Sequence, residues 1–152
     1  MTTDNRSIHW RRAEPFALLC LRVALATPFL RSGLTKWDGF GRLSDTTVYL
    51  FQEEFRLHLF GRLVPYPLPT LMAWSSAVAE IALPLLLLAG LATRWAALGL
   101  LAMTAIIQLT IPDGWANFHL AWAAMAMALV SWGGGTWAAD AILPHRGLRG
   151  VG

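Results

Sequence analysis

The sequence predicts an all-α polytopic membrane protein: a four-transmembrane-helix up-and-down bundle with an amphipathic interfacial helix between spans one and two. Residues 1–152 read as a single membrane domain. Three observations predict it. Of the 152 residues 56% are hydrophobic and only 14% charged, far from the balance of a soluble domain. Four apolar runs divide the chain, and tryptophans Trp37, Trp95, Trp115, Trp132 and Trp137 fall near their ends, where amphipathic rings sit at headgroup level.

The first run, residues 16–34 ("FALLCLRVALATPFLRSGL"), follows a polar arm carrying Arg6, Arg11 and Arg12. This resembles the start of a signal peptide, and Ala24 and Ala26 offer an A-x-A site. Arg22 interrupts the would-be signal core and the apolar stretch continues past the site, so a retained span is expected. Residues 68–90 form the second run, long enough to cross roughly 30 Å of hydrocarbon at about 1.5 Å per residue. Residues 95–111 and 115–132 are the third and fourth, at the short end of the range. Helices are the form such runs must take, because lipid satisfies no backbone hydrogen bonds. The short connections "ATR" and "PDG" make spans two, three and four antiparallel neighbours.

Residues 36–67 are the long connection. Val48, Phe51, Phe55 and Leu59 recur on one helical face, with Gln52, Glu53 and Arg56 off it, which predicts an amphipathic helix lying as a lid in the interface. Six arginines on the side of the termini stand against five basic residues on the other side. The positive-inside rule therefore places both termini in the cytoplasm by a narrow margin.

Charge inside the spans is scarce. Arg22 lies about 9 Å from the start of span one and Glu80 about 15 Å from the same-side end of span two. A long arginine side chain bridges that difference. Intramembrane charges face the bundle interior and find one another, so Arg22 and Glu80 are expected to form a buried polar pair, either structural or functional. Toward the other side Gln108, with Thr104 one turn earlier, should approach His119 across "IPDGWAN", flanked by Trp115 and Trp122. Arg31 and Lys36 come to the same level beneath the lid. Pro28 and Pro84 each free a backbone carbonyl, although bundle-shaping is the favoured account of both.

Several classes are disfavoured. The basic residues flank apolar runs rather than forming one patch, so no nucleic-acid partner is expected. The single Cys20 excludes an intrachain disulfide or CxxC pair within these residues. His9, His58, His119 and His145 lack metal-ligand spacing, and no metal site is expected. For His119 an interfacial hydrogen-bonded histidine is weighed above a ligand, proton-relay or quinone contact. No phosphate loop, dinucleotide fingerprint, HExxH or nucleophile elbow occurs.

"LRVALATPFLRSGLTKW", with Arg22, Gly33 and Lys36, resembles the opening span of DoxX-family membrane proteins. "AEIALPLLLLAGLATRWAALGLLAMT", with Glu80, Gly90, Thr93 and Arg94, is similar to that family's second signature. "HLAWAAMAMALVSWGGGTWAADAIL", with His119, Trp122, Gly133, Gly135 and Asp140, is similar to its last span. The likeness covers about residues 16–143. It departs at Ala26 and Thr27, where the family often has glycine, and at Gly133–Gly135, where Gly-Pro-Gly is usual. "LFQEEF" and "IPDGWANFHLAW" look most like the branch beside copper-binding peptide (bufferin-type) biosynthesis.

The resemblance implies a multi-pass protein of the bacterial inner membrane, associated with a redox or metal and oxidative-stress system. It would have no covalent cofactor, would meet quinone, and would act with a partner redox protein rather than as a self-sufficient enzyme. Gln108, His119, Trp122 and Lys36 are the expected ligand or quinone-binding residues. The alternative is a non-catalytic membrane anchor or assembly protein, and less favoured is a small transporter. Membrane lipids are expected partners, and homo-oligomerisation is left open.

Overall fold

The computed structural model describes residues 5–142, with side chains from Ala13 onward. The expected cationic flanks Arg6, Arg11, Arg12, Arg146 and Arg149, together with His9 and His145, have side chains outside the described residues.

Four helices carry the architecture: α1 (Asn5–Leu34), α3 (Pro69–Ala89), α4 (Thr93–Thr110) and α5 (Leu120–Trp132). A short helix α2 (Asp45–Tyr49) and an antiparallel hairpin, β1 (Arg56–Leu59) and β2 (Arg62–Pro65), sit in the long connection. Helix α1 packs on α3, α3 on α4, α4 on α5, and α5 returns to α1, closing an up-and-down bundle.

Each helix turns a narrow seam inward. Leu18, Arg22, Leu25 and Phe29 on α1, Ala73, Ala77, Glu80, Pro84 and Leu87 on α3, and Thr93, Ala96, Ala97, Leu100 and Thr104 on α4 are buried. They recur at steps of three and four residues, the spacing that keeps one helical stripe facing its neighbour. Many are alanine, which lets helices approach closely where lipid supplies no hydrophobic drive between them. The outward faces are apolar too: Val78, Leu85, Leu98, Ile106 and Met127 are exposed, as a bundle solvated by hydrocarbon requires.

Among the described residues three segments, Ala13–Leu34, Pro69–Ala89 and Thr93–Thr110, are long and apolar enough to cross a membrane. The fourth predicted run is divided. A π-helical turn, Trp115–His119, leads directly into α5, which alone has 13 residues. The first run also differs from expectation. Helix α1 begins at Asn5, ahead of the predicted start at residue 16, because the polar arm continues the helical ladder rather than ending it.

The long connection is the main departure. The amphipathic helix expected to carry Val48, Phe51, Phe55 and Leu59 is short: α2 passes after Tyr49 into a π-helical turn, Leu50–Glu54, and the helical stretch stops there. Phe55 is extended and Leu59 lies in β1. The physical reason is the pair Phe60–Gly61, with φ of 50° and 76°. Two consecutive left-handed residues form the tight turn that matches strand twist, and the flanking "RLHL" and "RLVP" pair across it. The α2 end still does what an amphipathic helix would: Leu43, Phe51, Ala73 and Ala77 form a second apolar cluster with Trp37, Val48, Phe55, Tyr66 and Met72 around it.

Candidate functional site

Glycine at position 33 begins the site. A methyl group there would lie 2.9 Å from the backbone carbon, oxygen and Cβ of Glu80. Pro84 cannot donate the helical hydrogen bond that the Glu80 carbonyl would otherwise accept, so α1 and α3 meet at a bare glycine and a proline-relieved carbonyl. Lys36 lies three residues beyond Gly33, in the turn that follows α1, where its N–H donates to the Gly33 carbonyl at 3.2 Å, and its side chain reaches Glu80.

The Lys36 ammonium donates to Glu80 Oε2 at 2.5 Å and to Ser32 Oγ at 3.0 Å. Ser76, one turn before Glu80 on α3, donates to Oε1 at 2.9 Å. Both carboxylate oxygens are thus satisfied although Glu80 is 4% exposed, as a buried charge demands.

The expected ion pair between Arg22 and Glu80 is not formed. Arg22, 2% exposed, lies against Gly90 at the opposite end of α3, ten residues from Glu80, or about 15 Å along the helix. Its Nη2 donates to the Trp137 carbonyl at 3.4 Å, and Asp140 is the carboxylate that acts on it electrostatically. The expectation aligned the start of the apolar run in α1 with the end of α3. Because α1 runs on toward its N-terminus, the true alignment sets Arg22 level with the end of α3.

The second polar set forms in part as expected. His119 Nδ1 lies 2.7 Å from Gln108 Oε1, and Gln108 Nε2 donates to the Pro112 carbonyl at 3.0 Å. The π-helical turn that ends at His119 carries the ring inward, 4% exposed, and such turns recur at functional positions. Trp122 stands one turn on, with ring centroids 5.3 Å from His119 and 5.2 Å from Phe29 of α1. Thr104 does not join them, since its hydroxyl bonds back to the Leu100 carbonyl at 2.8 Å. Arg31 and Trp115 are exposed.

These two sets share one cavity of about 410 Å³. Lys36 contributes from the turn after α1, Ser76 and Glu80 from α3, and His119 and Trp122 from the α5 side. Phe29, Met103 and Ile107 supply apolar wall, and Phe51, Phe55 and Tyr66 form its cover. Ring contacts hold that cover: Phe51 to Phe55 at 5.2 Å and to Tyr66 at 5.4 Å between centroids. The Tyr66 hydroxyl lies 2.6 Å from Thr110 Oγ1, and His58 Nδ1 lies 3.1 Å from the Leu109 carbonyl, so the connection is tied to the last turn of α4. Gln108 stands behind His119 rather than in the wall.

At the other end Asp140 accepts the backbone N–H groups of Ala92 and Thr93 at 2.7 and 2.8 Å. It caps α4 from a distance in sequence, where Ala92 offers no side-chain cap of its own. A shallow open hollow lined by Thr93, Arg94, Trp95, Trp132 and the Gly133–Gly135 turn lies beside it. Among the described residues no three His, Cys, Asp or Glu side chains gather as a metal site.

The motifs thus have physical work: Gly33 and Lys36 seat Glu80, while Gly90, Thr93 and Asp140 close the far end. A model of the DoxX family matches residues 17–113. The chain belongs to the DoxX family. Within this DoxX domain the match runs from α1 to the turn after α4, taking in Lys36, Glu80 and Gln108 but stopping short of His119, Trp122 and Asp140. No curated protein and no solved structure matches the chain. Sequence reasoning missed Ser76, Tyr66 and the partnership of Lys36 with Glu80. Ser76 was visible as a polar residue four before Glu80; nothing local pointed to Tyr66, whose place depends on the hairpin.

Proposed function

We propose that this DoxX-family chain is a four-span protein of the bacterial inner membrane, with both termini cytoplasmic, that holds a quinone-class ring for a partner redox protein. The observation that carries this is the single cavity in which an apolar, aromatic slot meets two separate polar contacts, the Lys36–Glu80 pair and His119. Ligand sites of this kind are mostly apolar with a few convergent polar groups. A ring with oxygens at its edge matches that pattern better than an ion or a charged metabolite. The π-helical turn and α5 together span Trp115–Trp132, the length of a short crossing, and the α2–hairpin lid would lie in the interface. The chain would bind and position the ring, and the partner would supply the redox centre.

Native mass spectrometry after gentle extraction from the protein's own membrane tests this. A retained quinone, lost in Glu80→Gln or His119→Ala variants that remain inserted, is the expected result. A partner chain with no small molecule, unaffected by either variant, would instead identify an anchor or assembly protein. That second reading draws on Phe40 and Phe60, both fully exposed at turn tips, where they could dock another protein.

A further inference from the structure

The cavity's polar contacts differ in kind, and this determines which redox form of a ring they fit. The Pro112 carbonyl can only accept, so the Gln108 amide must present its NH₂ there. Its carbonyl oxygen is then the atom facing His119 Nδ1 at 2.7 Å. An acceptor at that distance requires the proton on Nδ1, which leaves Nε2 of the neutral imidazole as a bare acceptor. Gln108 stands outside the cavity while the His119 ring lines it, so the edge turned from Gln108 is the one offered to a ligand. Lys36 is the opposite case: two of its three N–H bonds go to Glu80 and Ser32, and the third is a donor for the cavity.

We infer that the cavity selects the reduced, hydroxyl-bearing form of its ring ligand, with a phenolic O–H donating to His119 Nε2 and a ring oxygen accepting from Lys36, and that Gln108 is the positioning residue that sets this preference. This rests on the quinone-class reading of the cavity. A quinone carbonyl would face the His119 lone pair with no proton between them, leaving two acceptors opposed. A mismatched buried polar contact of this sort weakens binding by about tenfold or more. A tenfold preference for the reduced form raises the potential of the bound two-electron couple by about 30 mV.

The experiment uses the full chain in lipid nanodiscs, without oxygen, at pH 8, where a neutral imidazole is favoured. A short-chain benzoquinone, its hydroquinone and the dimethyl ether of that hydroquinone are the probes, measured by tryptophan quenching and equilibrium dialysis. The hydroquinone is expected to bind at least about tenfold tighter than the quinone, with the ether, which has no O–H, as weak as the quinone. Gln108→Leu should abolish the preference by freeing the imidazole to change tautomer. In the unaltered chain the nitrogen-15 shifts of His119 should place the proton on Nδ1. Equal or tighter binding of the quinone by the unaltered chain overturns the inference and leaves the cavity reading standing. Binding of none of the three removes the cavity reading itself. A hydroquinone preference that survives Gln108→Leu overturns the role of Gln108. If that variant does not fold, the three-probe comparison on the unaltered chain decides the redox form, and the His119 nitrogen-15 shifts decide the role of Gln108: a proton found on Nε2 in place of Nδ1 overturns it.

Discussion

Lys36 and Glu80, 44 residues apart, form an ion pair at 2.5 Å in which Glu80 is buried and Lys36 half-buried, close to the point where Gly33 brings α1 against α3. Removing Lys36 leaves the Glu80 charge buried alone, which costs about 3 kcal/mol or more in folded proteins; removing Glu80 leaves a half-buried ammonium and costs less. Glu80→Leu and Lys36→Met should therefore each lower the melting temperature in mild detergent, while the double variant recovers most of the loss. Additive losses would show that the two do not act as a pair.

Gly33→Ala is expected to cost about 1–3 kcal/mol, the usual penalty for forcing atoms into a filled contact, because the new methyl meets the Glu80 backbone. It should also uncouple the pair. In the Gly33→Ala background, the double-variant cycle between positions 36 and 80 should shrink toward zero; an unchanged coupling would place the close approach elsewhere.

Asp140→Ala should expose the first turn of α4. Losing a helix cap costs about 1 kcal/mol, and hydrogen exchange at the Ala92 and Thr93 amides is the direct measure. Asp140→Asn keeps one acceptor oxygen and should show an intermediate rate. Protection unchanged in both variants would mean that the carboxylate does not hold this end.

Phe51 is buried between Phe55 and Tyr66 over the cavity. Phe51→Ala should cost about 3 kcal/mol and speed release of a bound ring more than it slows its capture, since the cover loses its central contact. Equal release rates before and after the change would separate the α2 segment from ligand retention.

The features legible in the sequence were those that depend on near neighbours. Hydropathy over some twenty residues placed the apolar segments, and the turn "IPDGWAN" was short enough to bring Gln108 to His119 whatever the rest of the bundle did. The hairpin was less visible because Phe60–Gly61 is a weaker turn signal than Asn-Gly, and the apolar spacing of Val48, Phe51 and Phe55 suits a helix up to the residue at which it ends. The partner of Glu80 was misassigned for a different reason. Counting depth from the ends of apolar runs assumes that helices begin together, and α1 does not begin where its hydropathy rises.

By itself the sequence determined a mostly helical membrane class, the positions of the apolar segments, and the small set of polar side chains that any site had to use, because periodicity and transfer free energy act within a single helix. Only the tertiary structure decided that Lys36, rather than Arg22, neutralises Glu80, and that Glu80, His119 and Trp122 face one cavity. Those relations depend on the axial alignment of α1 against α3. That alignment is set by the closest packing of two surfaces, Gly33 against the Glu80 backbone, which neither segment encodes alone.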